Sequence, residues 1–161
     1  MPWGKIKKIF MIIKIISGAQ TGADRAGIDA AIESGIEYGG WVPKDRKAED
    51  GIVPEKYIHL QEMGSGGAAE RTEQNVLDSD GTVIFGYGRL TTGSALTKKL
   101  AKQYDKPCLH IDLDIVGNPV PEIKDWIIQW NIKVLNIAGR KASKAPKIYN
   151  VVKGVMKQVL K

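Results

Sequence analysis

Apolar and polar positions switch repeatedly between two periods along the chain. Ile9-Phe10-Met11-Ile12-Ile13-Lys14-Ile15-Ile16 is a nearly unbroken apolar run, which predicts a buried strand. Gly22 to Ser34 puts Ala23, Ala26, Ala30 and Ala31 on one helical face, and such small residues let a helix lie close on a sheet. Tyr38 to Val42 predicts a short second strand. Pro43 to Gln61 has no period and carries Lys44, Asp45, Arg46, Lys47, Glu49 and Asp50; we read it as an irregular charged connection long enough to be functional. Ala68 to Leu77 predicts a helix, Gly81 to Phe85 a buried strand, and Ser94 to Tyr104 a helix with Leu96, Leu100 and Tyr104 on one face. Pro107 to Leu113 predicts a strand, Glu122 to Trp130 a helix, and Lys133 to Ala138 the last strand. Pro146 is expected in the first turn of a closing helix, where Ile148, Val151, Val152, Val155, Met156 and Val159 form an apolar stripe.

Strands alternating with helices predict an α/β fold of three layers, Rossmann-like, with a mainly parallel sheet of about five strands flanked by helices. Strand-to-helix loops then gather at the carboxyl edge of the sheet, where ligands bind. Ser17–Arg25, Gly86–Ser94 and Gly139–Ser143 are three glycine-bearing loops at such positions. Backbone N–H groups and helix starts at these loops suit an anion, most often a phosphate. One such loop reads equally well as a tight turn. A single charge-assisted hydrogen bond nets about 1.5–3 kcal/mol, against about 8 kcal/mol for micromolar binding, so several loops must act together. The candidate ligand-binding residues are Gly18, Gln20, Thr21, Gly22 and Arg25 in the first loop. Gly86, Thr92, Gly93, Ser94 and Thr97 belong to the second, and Gly139 and Arg140 to the third. Lys44 and Trp41 lie beside them, Trp41 being the aromatic best placed to stack on a base. The standard phosphate motifs are not met. The first loop lacks the Lys-Ser/Thr pair of a P-loop, and Gly86-x-Gly88 is followed by glycine only at Gly93.

Other polar residues leave alternatives open. Asp24 either caps the first helix or contacts a sugar hydroxyl or cationic base. Arg71, Glu73 and Asn75 share one helix, with Arg71 and Asn75 on one face, which is either solvated or part of a site. Asp112 and Asp114 read as loop carboxylates in preference to sugar or metal ligands. His110 is expected as a satisfied core histidine, Cys108 as a buried thiol, and Trp3, Trp41, Trp126 and Trp130 as core or interface, with Trp41 the one of them best placed to stack on a base. His59 and His110 belong to no cluster, so no protein metal site is predicted.

With 161 residues the chain fits a single domain, with residues 1–8 as a basic extension. The net charge of +6 permits an anionic ligand, but basic and acidic residues are interspersed without a stripe, which argues against nucleic acid. One cysteine excludes an intrachain disulfide and points to a reducing cytoplasm. Lys5, Lys7 and Lys8 before Ile9–Ile16 faintly resemble a signal peptide, but Lys14 interrupts the apolar run. No stretch approaches the roughly 20 apolar residues of a membrane span. The expected assembly is a homo-oligomer.

Several blocks together resemble the molybdenum carrier family. They are Gly18-Ala19-Gln20-Thr21-Gly22-Ala23-Asp24-Arg25, Gly40-Trp41-Val42-Pro43-Lys44, Ala48-Glu49-Asp50-Gly51, Glu70-Arg71-Thr72-Glu73-Gln74-Asn75-Val76, Asp78-Ser79-Asp80-Gly81-Thr82, Gly93-Ser94-Ala95-Leu96-Thr97 and Leu135-Asn136-Ile137-Ala138-Gly139. The likeness runs over residues 12 to 160 in order. It implies a circularly permuted branch of the SLOG superfamily, which includes the Lonely-Guy phosphoribohydrolases and a DNA-processing protein. It also implies a Rossmann-like fold binding a nucleotide-derived or molybdenum-cofactor-like pterin ligand through its phosphate. By the same resemblance, Arg71 matches the catalytic arginine of the phosphoribohydrolases, whereas Thr97 stands where their glutamate should be. A hydroxyl cannot replace a carboxylate as acid or base. The resemblance therefore carries binding over better than hydrolysis of an N-glycosidic bond. Asp24, Glu49 or Glu73 would have to supply the missing carboxylate.

Overall fold

The computed structural model describes residues 9–161. Lys5, Lys7, Lys8 and Trp3 lie outside the described residues. The strands are β1 (Lys14–Ile16), β2 (Glu37–Gly39), β3 (Trp41–Val42), β4 (Lys47–Ala48), β5 (Gly51–Ile52), β6 (Gln61–Glu62), β7 (Gly81–Gly86), β8 (Cys108–Asp112) and β9 (Val134–Gly139). The helices are α1 (Ala23–Glu33), α2 (Ala68–Asp78), α3 (Thr92–Gln103), α4 (Val120–Gln129) and α5 (Ile148–Val159). Five strands form one all-parallel sheet in the order β2-β1-β9-β7-β8.

The right-handed crossover rule fixes the layers. Connections that step toward β2 run through one face, and connections that step toward β8 run through the other. Accordingly α1, α4 and α5 pack together on one side and α2 with α3 on the opposite side. The fold is thus the three-layer, Rossmann-like α/β arrangement expected from the alternating pattern.

The two faces of the sheet are filled differently. Ile15, Leu135, Ile137 and Phe85 join Ile28, Ile123, Ile127, Ile148, Val152 and Met156 in the main core. The opposite side has only a small cluster of Val76, Leu100 and Ala101, flanked by Leu96, Tyr104 and Cys108. Side chains alternate between faces along a strand. On β9, therefore, Leu135 and Ile137 enter the main core while Asn136 and Ala138 point to the thinly filled side.

The first strand is shorter than its apolar run. Ile9, Met11 and Ile13 are exposed, and β1 begins at Lys14 because its partners begin at Glu37 and Val134. The expected second strand divides at Gly40. Its φ is 125°, and a Cβ there would lie 2.1 Å from the Ser17 carbonyl oxygen. The chain therefore leaves the main sheet, and Trp41–Val42 pairs instead with Gln61–Glu62. The charged connection is not structureless: it holds this small pair, the β4–β5 hairpin and a tight turn at Lys44–Arg46. Pro146 lies in a turn before α5, which starts at Ile148.

Candidate functional site

The carboxyl ends of β1, β7 and β9 bring the three glycine loops together. A cavity of about 420 Å³ opens there, between α2, α3 and the polar side of β9. Each wall follows from local periodicity. On α2, Ala68, Arg71, Thr72 and Asn75 are spaced i, i+3, i+4 and i+7, so one helical face supplies them all. On α3, Thr92, Gly93, Ser94 and Thr97 line the cavity from the first turn and a half. The first loop contributes Gln20 and Asp24, β9 contributes Asn136, Ala138 and Gly139, and the following loop adds Lys141 and Lys144.

The start of α3 leaves backbone donors beside open space. Thr91 caps it by accepting the Ser94 N–H at 3.3 Å. The Thr92 and Gly93 N–H groups have no acceptor within the helix, as at every helix start. A Cβ on Gly93 would meet nothing within 4 Å, so this glycine borders open space. Thr97 donates its hydroxyl proton to the Gly93 carbonyl at 3.1 Å.

Arg71 and Asp24 face each other across the opposite wall, 4.0 Å apart and both about nine-tenths buried. The guanidinium is held by the backbone: Nη1 donates to the Gly18 carbonyl at 2.7 Å and Nε to the Ala68 carbonyl at 3.2 Å. Gly18 is required for this approach, since a Cβ there would lie 2.2 Å from Nη1. Asp24 Oδ2 accepts the Gln20 N–H at 3.2 Å. Burial raises the Asp24 carboxyl to about 6, and Arg71, the Gln20 N–H and Arg25 offset only part of that rise. With Arg71, Lys141 and Lys144 against Asp24, the lining carries a net positive charge.

Other predicted residues serve the walls without lining the cavity. Gly22, with φ of 82°, lets the first loop meet the third: a Cβ there would lie 2.4 Å from the Arg140 carbonyl oxygen. Arg25 grips Asp50 through both Nη atoms at 2.6 and 2.8 Å and the Ala19 carbonyl at 3.0 Å. Thr21 donates to Glu49, which also accepts from the Ser143 N–H at 3.0 Å and hydroxyl at 2.5 Å. Burial pushes the Glu49 carboxyl up, but these bonds outweigh it and hold it below its ordinary range. Arg140 reaches back to the Tyr87 and Arg89 carbonyls, beside Gly86. Arg25 is thus engaged within the protein, while Arg140 uses Nη2 on these carbonyls and its buried Nε has no hydrogen-bond partner among the described residues.

Three expectations are corrected outright. Trp41 does not stack over the cavity: its indole N–H donates to Asp78 at 2.8 Å, and its backbone is held on both sides by the Asn75 amide. Glu73 faces α3, where it accepts the Tyr104 hydroxyl at 2.7 Å. His110 is not satisfied, because its buried Nε2 has no hydrogen-bond partner among the described residues; burial lowers its pKa. Trp126 is buried while Trp130 is 54% exposed. Asp112 accepts the Gly88 and Asp114 N–H groups, which ties down the second loop.

Asn136, Lys141 and Lys144 are site residues that sequence reasoning did not single out. Asn136 had a signal: an amide in the middle of a buried apolar strand must be satisfied, and here it donates to Thr82 at 3.1 Å. Lys144 offered none, since its position depends on the turn at 142–147. Lys44 lines an adjoining cavity. Among the described residues no three His, Cys, Asp or Glu side chains gather to hold a metal ion. No helix among them is long and apolar enough to cross a membrane.

The fold defines a Rossmann-like α/β protein whose central strand, β9, is the last of the sheet's strands in sequence. The chain belongs to the circularly permutated YpsA SLOG family, whose family model matches residues 15–160. Among solved structures it resembles a protein described as "Putative molybdenum carrier protein" from Syntrophus aciditrophicus SB. The two are 54% identical, the match covers 93% of this chain and 96% of that one, and the TM-score is 0.90. No curated protein matches the chain.

Proposed function

We propose that this protein binds a phosphorylated nucleotide-derived or pterin ligand in the cavity between α2, α3 and β9. The observation that carries the reading is the open start of α3 facing Arg71, Lys141 and Lys144 across one cavity. A phosphate at Thr92 and Gly93 would receive helix N–H groups and lie near these cations. The Asn75 and Asn136 amides are committed to Trp41 and Thr82, so they shape the cavity more than they read a ligand.

Carriage of molybdenum, named for the similar protein, fits this chain with the metal as cargo in a pterin cofactor held through the cofactor's phosphate. The lining offers helix N–H groups, cations and amides but no thiol. Cys108 lies against Val76, Leu100 and Ala101, and burial raises it to about 11. A thiolate bond to the metal from this chain is thus not provided.

Thermal unfolding with nucleoside monophosphates and pterin phosphates tests the reading. A ligand at a hundred times its Kd stabilises by about 2.7 kcal/mol, which is roughly 5–10 °C for a chain of this size. The expected result is such a shift with a phosphorylated compound and none with its dephosphorylated form. Equal shifts with both, or none with either, overturn it.

A second reading rests on Asp24, whose carboxyl titrates near neutrality beside Arg71. Such a group has the properties of a general acid for cleaving an N-glycosidic bond. Release of free base from a nucleoside monophosphate, abolished in Asp24→Asn, is the outcome expected for catalysis. Stable, uncleaved bound nucleotide is the outcome expected for carriage alone.

A further inference from the structure

The cavity does not end at Arg71. A second chamber of about 380 Å³ adjoins it and shares Gln20, Ala68 and Arg71 with the first. Lys44 and Lys47 line its outer side, and Gly66 and Gly67 leave part of its wall as bare backbone. Asp45 is its one acidic lining residue, so with Arg71 the chamber is net positive.

The two lysines are set in place by an unusual turn. Asp45 and Arg46 are consecutive non-glycine residues with φ of 64° and 54°. Left-handed backbone at such residues persists only where neighbours over-determine it. Here the Asp45 N–H donates to Glu62 at 2.5 Å, the Arg46 N–H to Pro43 at 2.9 Å, and the Arg46 guanidinium to the Pro54 carbonyl at 2.9 Å. Arg46 is thereby consumed in holding the turn, while Lys44 and Lys47 have no carboxylate partner among the described residues. Arg71, which lines both chambers, uses Nη1 and Nε on backbone carbonyls and leaves Nη2 without a hydrogen bond among the described residues.

We infer that the ligand carries two separated anionic groups, one at the start of α3 in the first chamber and one between Lys44 and Lys47 in the second, with Arg71 between them. This rests on the phosphate reading of the first chamber and narrows it: the ligand class is a nucleotide or pterin bearing a second phosphate or carboxylate away from the first.

Calorimetric titration with AMP and with adenosine 3′,5′-bisphosphate tests it, using the wild-type chain, Lys44→Ala/Lys47→Ala and Gly93→Val. Both lysines are exposed, so the double variant keeps the fold, which an unchanged Tm checks. The expected result is that the bisphosphate binds wild type at least about tenfold more tightly than AMP, as one added charge-assisted contact would give. That advantage disappears in the lysine double variant while AMP affinity stays unchanged, and Gly93→Val weakens both ligands. Equal binding of the two ligands to wild type, or equal weakening of both by the lysine variant, overturns the two-anion inference and leaves the first site standing. Absence of binding by either nucleotide and by a pterin phosphate titrated alongside them overturns both readings.

Discussion

The first glycine loop and the α3 loop look alike in sequence and behave oppositely in the fold. Gly22, Thr21 and Arg25 are spent inside the protein, on the Arg140 carbonyl, Glu49 and Asp50. Gly93 and its neighbours face open space and leave N–H groups unspent. The difference teaches that a glycine loop at a sheet edge offers either contact between loops or contact with a ligand. The choice depends on whether acidic residues elsewhere in the chain reach it. Glu49 and Asp50, at the tip of the β4–β5 hairpin, reach the first loop and leave the second alone.

Substitutions at the two glycines break the comparison most directly. Gly22→Val combines a positive φ with a backbone clash at 2.4 Å, and such strain costs about 3 kcal/mol or more. We expect a fall in Tm of roughly 6 °C or more. Gly93→Val is expected to leave Tm within about 2 °C, as at other sites without close contacts, yet to abolish phosphate binding. A Gly22 variant as stable as wild type would show that the junction is looser than the bonds imply.

Arg71→Ala comes next. It removes the one cation within 4.0 Å of a buried carboxylate, and breaking a buried pair costs about 3–5 kcal/mol, less here because Asp24 can take up a proton. We expect about 2 kcal/mol of destabilisation at pH 7, shrinking toward pH 4, together with loss of anion binding. Chemical denaturation at the two pH values measures it.

Asp24 gives a smaller effect of defined sign. Its folded carboxyl titrates near 6 against an ordinary 3.8, so the folded state holds more protons between these values. Stability contributed by Asp24 is complete below about 3.8 and declines as pH rises through 6. Asp24→Asn is therefore expected to be more stable than wild type at pH 7, by about 1–3 kcal/mol, with the difference gone below pH 4. The same variant binds an anion more tightly because a like charge is removed. A difference that grows toward low pH would overturn this account.

Lys144→Ala and Lys141→Ala should each weaken phosphate binding by about tenfold or less. The effect should be greater for Lys144, since Lys141 is shared with Glu49 at 3.9 Å. Titration at two salt concentrations checks the ranking.

The layered fold was legible because burial on a parallel sheet demands continuous apolar strands and amphipathic helices, as in Thr82–Phe85 and Ile148–Val159. The site was legible as loops and as the face of Arg71 and Asn75. It was not legible which polar groups would be used up. Arg25 and Lys144 are both cations near glycine loops, and only the folded hairpin distinguishes them. Trp41 was misplaced for a related reason: Gly40 takes the chain out of the sheet, and no periodicity marks that exit.

The position of β9 bears on how the protein comes into being. β1 pairs with β2 and β9, and β7 pairs with β8 and β9, but β1 and β7 do not touch as partners. During synthesis the ribosome thus releases two half-sheets that have no hydrogen bonds to one another until residues 134–139 emerge. The cavity has walls from both halves, so it is not formed before both are present. Arrival of one late strand both closes the sheet and completes the cavity.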